Sequence, residues 1–356
     1  MKKLLRRVLA LALCLTLFGG AAMAETLSLP EDSSTFSPEL AAQTLSLFGT
    51  DAQTVRQAMA NYGLTIVQEA HYDKSPEDPS HTCAYTVGMG QVTYAGEPRT
   101  LLVVAIRGTT AGEWYSNFDF APSHSNDTQF AENFLMAAQD VYLGLQSVLG
   151  QVQNPLVLVT GHSRGAACAN LLSLFLNAAC GPQNVFVYTS ATPTTVRGEI
   201  ANTDCPNVFN LINPADLVPM MPLTGWGYAR LGQDVTLPGD QQIAETLQQA
   251  MSTLHALSQD IASYYNVRHS LTGPGESEDG LTVSELMQAV AQSMLSLSEQ
   301  SPEADESALP QVAEDSDLAP LMRMLSDLFG SDGDQGAQIL QQHMPALYGQ
   351  LLAAMN

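Results

Sequence analysis

The chain is short of positive charge. Only 13 of its 356 residues are lysine or arginine, against 36 aspartates and glutamates. Four of those 13, Lys2, Lys3, Arg6 and Arg7, lie within the first seven residues. Beyond residue 24, nine basic residues face all 36 acidic ones, a net charge of −27. Such a field repels nucleic acid and anionic membrane surfaces, so nucleic-acid binding is excluded and the surplus reads as solubility. Long apolar runs are also missing after residue 24, where nothing approaches the about 20 residues of a spanning helix. Cysteine is sparse, five in all. The spacing of Cys83, Cys168, Cys180 and Cys205 matches no metal-ligand pattern, so no metal is expected.

The first residues read as a targeting segment. A basic start is followed by the apolar run 8–18 and then by Ala22-Met23-Ala24, small residues where a signal peptidase cuts. Residues 1–24 are therefore expected to be a secretory signal peptide; a retained anchor would need a longer run. The product is expected outside the cytoplasm: in the medium, on a wall or in a periplasm. Four cysteines in an exported chain permit two bridges, and Cys180–Cys205 is the expected pair. Cys168 falls on a buried helix face, where a thiol packs as a small hydrophobe.

Residues 25–272 carry the alternation of an α/β fold. Two short helices are expected within 37–61, capped near Ser37 and Asp51. Strands are expected at 64–69, 83–94, 99–107, 156–159, 184–190 and 208–212, with helices at 128–150, 164–177 and 240–265. Wholly apolar strands between helices imply a mostly parallel central sheet covered on both faces. From residue 273 the composition turns acidic, with fourteen acidic residues and one basic, Arg323. Segments 273–356 read as an acidic helical extension with amphipathic stretches at 281–298, 318–329 and 335–354. Pro345 should kink or shorten the last. Residues 300–319, acidic and interrupted by Pro302 and Pro310, read as a mobile linker.

The chemistry centres on Gly161-His162-Ser163-Arg164-Gly165. This Gly-x-Ser-x-Gly pattern directly follows an apolar strand and opens a helix of small residues, the context of a strained turn that exposes a nucleophilic serine. A serine hydroxyl needs a base and a carboxylate to orient that base. The expected chain order is serine, acid, histidine. Asp216, just past strand 208–212 on the stiff loop Asn213-Pro214-Ala215-Asp216, is preferred to Asp204 and Asp234. Three histidines follow Ser163: His255, His269 and His343. His269, where a helix gives way to a loop, leads as the base and His255 stays open. His343, in the acidic extension beyond the linker, is set aside. One oxyanion donor is the Arg164 amide, and Arg107-Gly108-Thr109 offers the second through Thr109. The Arg164 side chain could recognise an anionic substrate or pair with Glu113 or Asp119.

Here the chain resembles the class 3 lipase family of α/β-hydrolases. The resemblance rests on the strand and turn 103–109, on 113–119, on the nucleophile block 159–163 and on the aspartate block 210–222. It implies a triad of Ser163, Asp216 and His269, with Thr109 in the oxyanion hole. It also implies a secreted carboxylic ester hydrolase for lipid or small apolar esters, with transient lipid-interface contact and no cofactor. Arg164 and Ala166 stand where the family usually has Leu and Gly, and the histidine block matches least. A phospholipase or feruloyl-type esterase on the same scaffold is a second reading. A non-catalytic surface protein is a third.

Overall fold

The computed structural model describes residues 25–49, 51–73, 82–108, 130–252, 255–256, 338 and 341–355. The expected signal peptide, Thr109, His269 and the linker 300–319 lie outside the described residues, as does all of the extension before residue 338.

Two short helices begin the described chain: α1 (Pro38–Leu45) and α2 (Ala52–Asn61). Their starts follow from side-chain capping. Ser37 Oγ accepts from the Leu40 amide and Asp51 Oδ1 from the Thr54 amide, each satisfying a donor that the first turn leaves orphaned. Three strands come next or follow closely: β1 (Thr65–Ala70), β2 (Tyr85–Tyr94) and β3 (Glu97–Ile106). Then come α3 (Glu132–Leu149), β4 (Leu156–His162), α4 (Arg164–Cys180) and β5 (Val185–Ser190). β6 (Val196–Arg197) and β8 (Tyr228–Ala229) form a small antiparallel pair. β7 (Val208–Ile212) and β9 (Gln233–Thr236) complete the main sheet, residues 241–252 are helical, and α5 (Pro345–Ala353) closes the chain.

The seven-stranded sheet runs β1-β2-β3-β4-β5-β7-β9. β1, β2 and β3 are antiparallel neighbours, while β3, β4, β5, β7 and β9 are all parallel. All seven residues of β4 are buried, as expected of a central strand covered on both sides. Side-chain alternation divides the core in two. Val104, Ile106, Val157 and Val159 face Phe134, Val141 and Leu171 of α3 and α4. Val103, Ala105, Leu156 and Leu158 face Leu40, Met59 and Leu47 on the other side. Each such buried aliphatic side chain contributes about 1.5–3 kcal/mol. This is an α/β-hydrolase fold with a mostly parallel central sheet.

Two expectations need correction. The hydrolase body was expected to end at residue 272, with 273–356 as an appendage. The last described segment, 341–355, is instead part of that body. Pro345 supplies the first turn of α5, and Tyr348 and Leu352 are buried in the same cluster as Leu40 and Phe209. An apolar stripe this close to an open sheet face is stabilised by burial there. The Cys180–Cys205 bridge is also absent, since all four described cysteines are thiols. Cys205 is buried before β7, and Cys180 lies half-buried at the end of α4.

Candidate active site

Ser163 occupies the turn between β4 and α4, with φ 57° and ψ −125°. This is a region that L-residues rarely adopt, and it costs on the order of 1–3 kcal/mol. The glycines explain how it is reached. A Cβ on Gly161 would collide with the backbone of Gly165, and one on Gly165 would collide with the carbonyls of Ile106 and Arg107. Strand, helix and the end of β3 therefore meet backbone to backbone around the serine. The Ser163 amide donates to Ser190 O of β5 at 3.1 Å, which pins the turn to the sheet. The backbone amides at the start of α4, Arg164 among them, point their partial positive charge at this corner.

Gly108, just past β3, approaches the same turn. A Cβ there would lie 3.0 Å from His162 O and 3.9 Å from Ser163 Cβ. The chain thus leaves β3 against the serine, and the next residue is Thr109.

Asp216 is 1% exposed and sits beyond the end of β7. Asn213 shapes its loop: Asn213 Oδ1 accepts from the Ala215 amide at 3.1 Å and Asn213 O from the Asp216 amide at 3.0 Å. Asp216 Oδ1 accepts from the Val218 amide at 2.9 Å. Its Oδ2 meets His343 Nδ1 at 2.8 Å and accepts from the Tyr348 hydroxyl, also at 2.8 Å. The two loops are laced together again where Asn213 Nδ2 donates to Gln342 O at 3.0 Å and to its Oε1 at 3.1 Å. Tyr348 Oη in turn accepts from the Asn213 amide at 3.3 Å.

The histidine on Asp216 is therefore His343, the one set aside on sequence. A long acidic stretch precedes it in the sequence, but α5 packs into the core and carries His343 with it. His269 lies outside the described residues. His255 packs against Gly225 and lines a cavity of about 530 Å³ with Pro219, Met220 and Leu223, and its described neighbours do not put it on Oδ2. Asp204 is exposed before β7, and Asp234 is committed to Arg230 at 2.6 Å.

Electrostatics follow the geometry. Burial alone would raise the Asp216 carboxyl, but His343, the Val218 amide and the Tyr348 hydroxyl outweigh it and hold the group below its ordinary range. A carboxylate accepts only, so neutral His343 must carry its proton on Nδ1 and leave Nε2 as a proton acceptor. Tyr348 is pushed up, first by burial and then by the charge of Asp216, which keeps its hydroxyl a donor. His162, the residue before Ser163, stacks between Phe48 at 5.7 Å and His343 at 4.8 Å between ring centroids. Its Nδ1 meets Ser190 Oγ at 3.0 Å. Burial, then the neighbouring His343, depresses it to about 3, so it is a neutral wall for the His343 ring.

Arg164 is 1% exposed. Its Nη2 donates to Thr82 O at 3.5 Å and its guanidinium lies 5.8 Å from the Phe134 ring. The side chain is turned into the packing between α3 and α4. Its candidate acidic partners, Glu113 and Asp119, lie outside the described residues. Among the described residues no group of three histidines, cysteines or carboxylates could hold a metal ion, and no helix is long and apolar enough to cross a membrane.

Residues 103–226 match the model of the class 3 lipase family. The chain is 26% identical over 157 residues to secreted mono- and diacylglycerol lipase A of Penicillium cyclopium, and equally to that of Penicillium camembertii. The match covers 40% of this chain and 50% of each relative, so the chain spans about half the length of the curated relatives it matches. Among solved structures, the triacylglyceride lipase of Rhizomucor miehei is similar at 21% identity and a TM-score of 0.45, over 57% of this chain and 82% of that one.

Proposed function

We propose that this chain, whose residues 103–226 carry the class 3 lipase pattern, is an exported serine hydrolase that cleaves carboxylic esters of lipids or similar apolar molecules. The observation that carries the proposal is the 2.8 Å contact between Asp216 Oδ2 and His343 Nδ1, beside a serine held at φ 57°. In this reading Ser163 is the nucleophile, His343 rather than His269 the base, and Asp216 the group that orients it.

The chemistry runs as follows. His343 Nε2 takes the proton of Ser163 Oγ as the oxygen attacks the ester carbonyl. Asp216 holds the imidazole in the required tautomer and stabilises it once protonated. The amides of Arg164 and Thr109 receive the negative charge on the carbonyl oxygen. His343 then hands its proton to the leaving alcohol, and the acyl group stays on Ser163. A water molecule, deprotonated by His343, releases the acid and restores the serine. The mechanism needs no cofactor. Burial of the Arg164 side chain supports a structural role for it over recognition of an anionic substrate. The basic and apolar first 24 residues, together with relatives named as secreted, support export. A transient contact with a lipid interface would follow from the substrate class.

The test is labelling with a fluorophosphonate, alongside hydrolysis of short and long acyl esters. Wild type should label and turn over ester, and Ser163→Ala should do neither while staying folded. A folded wild type that neither labels nor cleaves any ester would overturn the proposal.

A further inference from the structure

Away from the candidate active site, the molecule buries two thiols against each other. Cys83, immediately before β2, is 2% exposed, and Cys168, in the second turn of α4, is fully buried. Both belong to the core cluster under α3 and α4, where the two thiols are close enough to perturb each other's ionisation. The two segments are clamped on either side of the sulfurs. Arg164, one turn before Cys168, donates to the carbonyl of Thr82, and the Arg107 amide donates to Ala84 O at 2.8 Å. Cys180 and Cys205 are arranged differently: Cys180 is half-buried at the end of α4, and the side chains beside Cys205 are Asp204 and Ser173 rather than a thiol.

We propose that Cys83 and Cys168 are a disulfide-forming pair that ties the entry of β2 to the helix behind Ser163. The bond forms by thiol–disulfide exchange with an oxidant of the disulfide class, such as oxidised glutathione or a protein disulfide. One thiolate attacks the oxidant, giving a mixed disulfide and releasing one thiol. The second thiolate then displaces the other half. One Sγ–Sγ bond is made, two protons are lost, and two electrons leave on the oxidant as two thiols. Burial holds Cys168 in its protonated form in the folded protein, so the exchange belongs to folding, before the cluster closes. Once made, the bond is shielded from external thiols. It closes the loop 83–168, which contains β2, β3, α3 and β4, and so restricts the unfolded chain. Export would supply such oxidants, but the pairing rests on the fold and not on the proposed hydrolase activity.

The test refolds the reduced, denatured full chain in a mixture of reduced and oxidised glutathione. Remaining thiols are then alkylated under denaturing conditions, and the digest is mapped by mass spectrometry without reductant. The expected product is one linked peptide pair holding Cys83 and Cys168, with Cys14, Cys180 and Cys205 alkylated. Alkylation of both Cys83 and Cys168, or linkage of either to a different cysteine, would overturn the proposal. In thermal unfolding, dithiothreitol should lower the midpoint of the refolded wild type by several degrees and leave Cys168→Ala unmoved. Equal shifts in both proteins would also count against the pair. Failure of the variant to fold leaves the peptide map to decide.

Discussion

Ser163 sits on one continuous stretch of chain, from β4 into the first turn of α4, wedged against the ends of β3 and β5. The carboxylate and imidazole beside it come from stretches 127 residues apart. The first arrangement is dictated locally. Two glycines have no room for a Cβ, a buried strand leads in, and a helix leads out, so the shape of the turn is written in its own residues. The second is dictated by tertiary packing. His343 reaches Asp216 because Tyr348 and Leu352 bury on the face of the sheet opposite α3 and α4, and because Asn213 is hydrogen-bonded to Gln342. Local geometry survives rearrangement elsewhere in a fold, whereas a long-range contact depends on everything that docks its two ends.

That difference can be broken most severely at the carboxylate. Asp216→Asn keeps the shape but turns a donor toward Nδ1, which favours the wrong imidazole tautomer; kcat should fall about 10⁴-fold. Steady-state kinetics on one ester at constant pH would check this, and a loss below tenfold would remove Asp216 from the chemistry.

The local half is best tested at Gly165. Gly165→Val forces side-chain atoms into the Ile106 and Arg107 carbonyls, and overpacking of this kind costs about 1–3 kcal/mol or more. Fluorophosphonate labelling should vanish and the urea midpoint should fall. A variant with wild-type labelling would show that the close approach is not needed.

Acid stability sharpens the contrast between the halves, because His162 touches both. Its folded pKa is lowered to about 3 from an unfolded value near 6.5. Between those values the unfolded chain binds the extra proton, so stability rises with pH and is lost as pH falls below 6.5. At pH 4.5 the loss attributable to His162 should be about 2–3 kcal/mol relative to pH 7. Urea titrations at the two pH values should show this loss in wild type and a smaller one in His162→Gln. Asp216 acts in a lower window. Its depressed folded pKa gives stability that is present above the unfolded carboxylate value and lost as pH falls through the folded one.

The smallest effect expected is that of Tyr348→Phe. Asp216 loses one of its three described partners and the Asn213 amide loses its acceptor, at a cost of about 1–2 kcal/mol. The kcat should drop about tenfold with KM unchanged, since the hydroxyl touches the carboxylate and not the substrate. A change in KM alone would contradict this positioning role.

What could be read from the residues alone follows the same division. The caps at Ser37 and Asp51, the apolar strands and the turn around Ser163 are written in neighbouring residues. The Asp216 loop stands out through its prolines and its place after an apolar strand. β9 escaped notice because its four residues are largely exposed and carry no apolar alternation. His343 escaped because it follows a long acidic stretch, which argued for an appendage. The signal that could have found it was short: a histidine just before Pro345, at the start of an apolar helix. Nothing in sequence spacing tells that this helix docks beside Asp216. The closeness of Cys83 and Cys168 was equally illegible, since residues far apart in sequence meet there only in the shared core cluster.

The central claim is that His343, carried by the last helix, is the base that serves Ser163. Its most direct test is to compare turnover of His343→Ala and His269→Ala in the full chain, with thermal unfolding to confirm that both are folded. The account predicts a loss of at least about 10⁴-fold for His343→Ala, set by the residual catalysis of a triad lacking its base, and activity within a few-fold of wild type for His269→Ala. A folded His343→Ala enzyme with near wild-type turnover, or a collapse confined to His269→Ala, would contradict it.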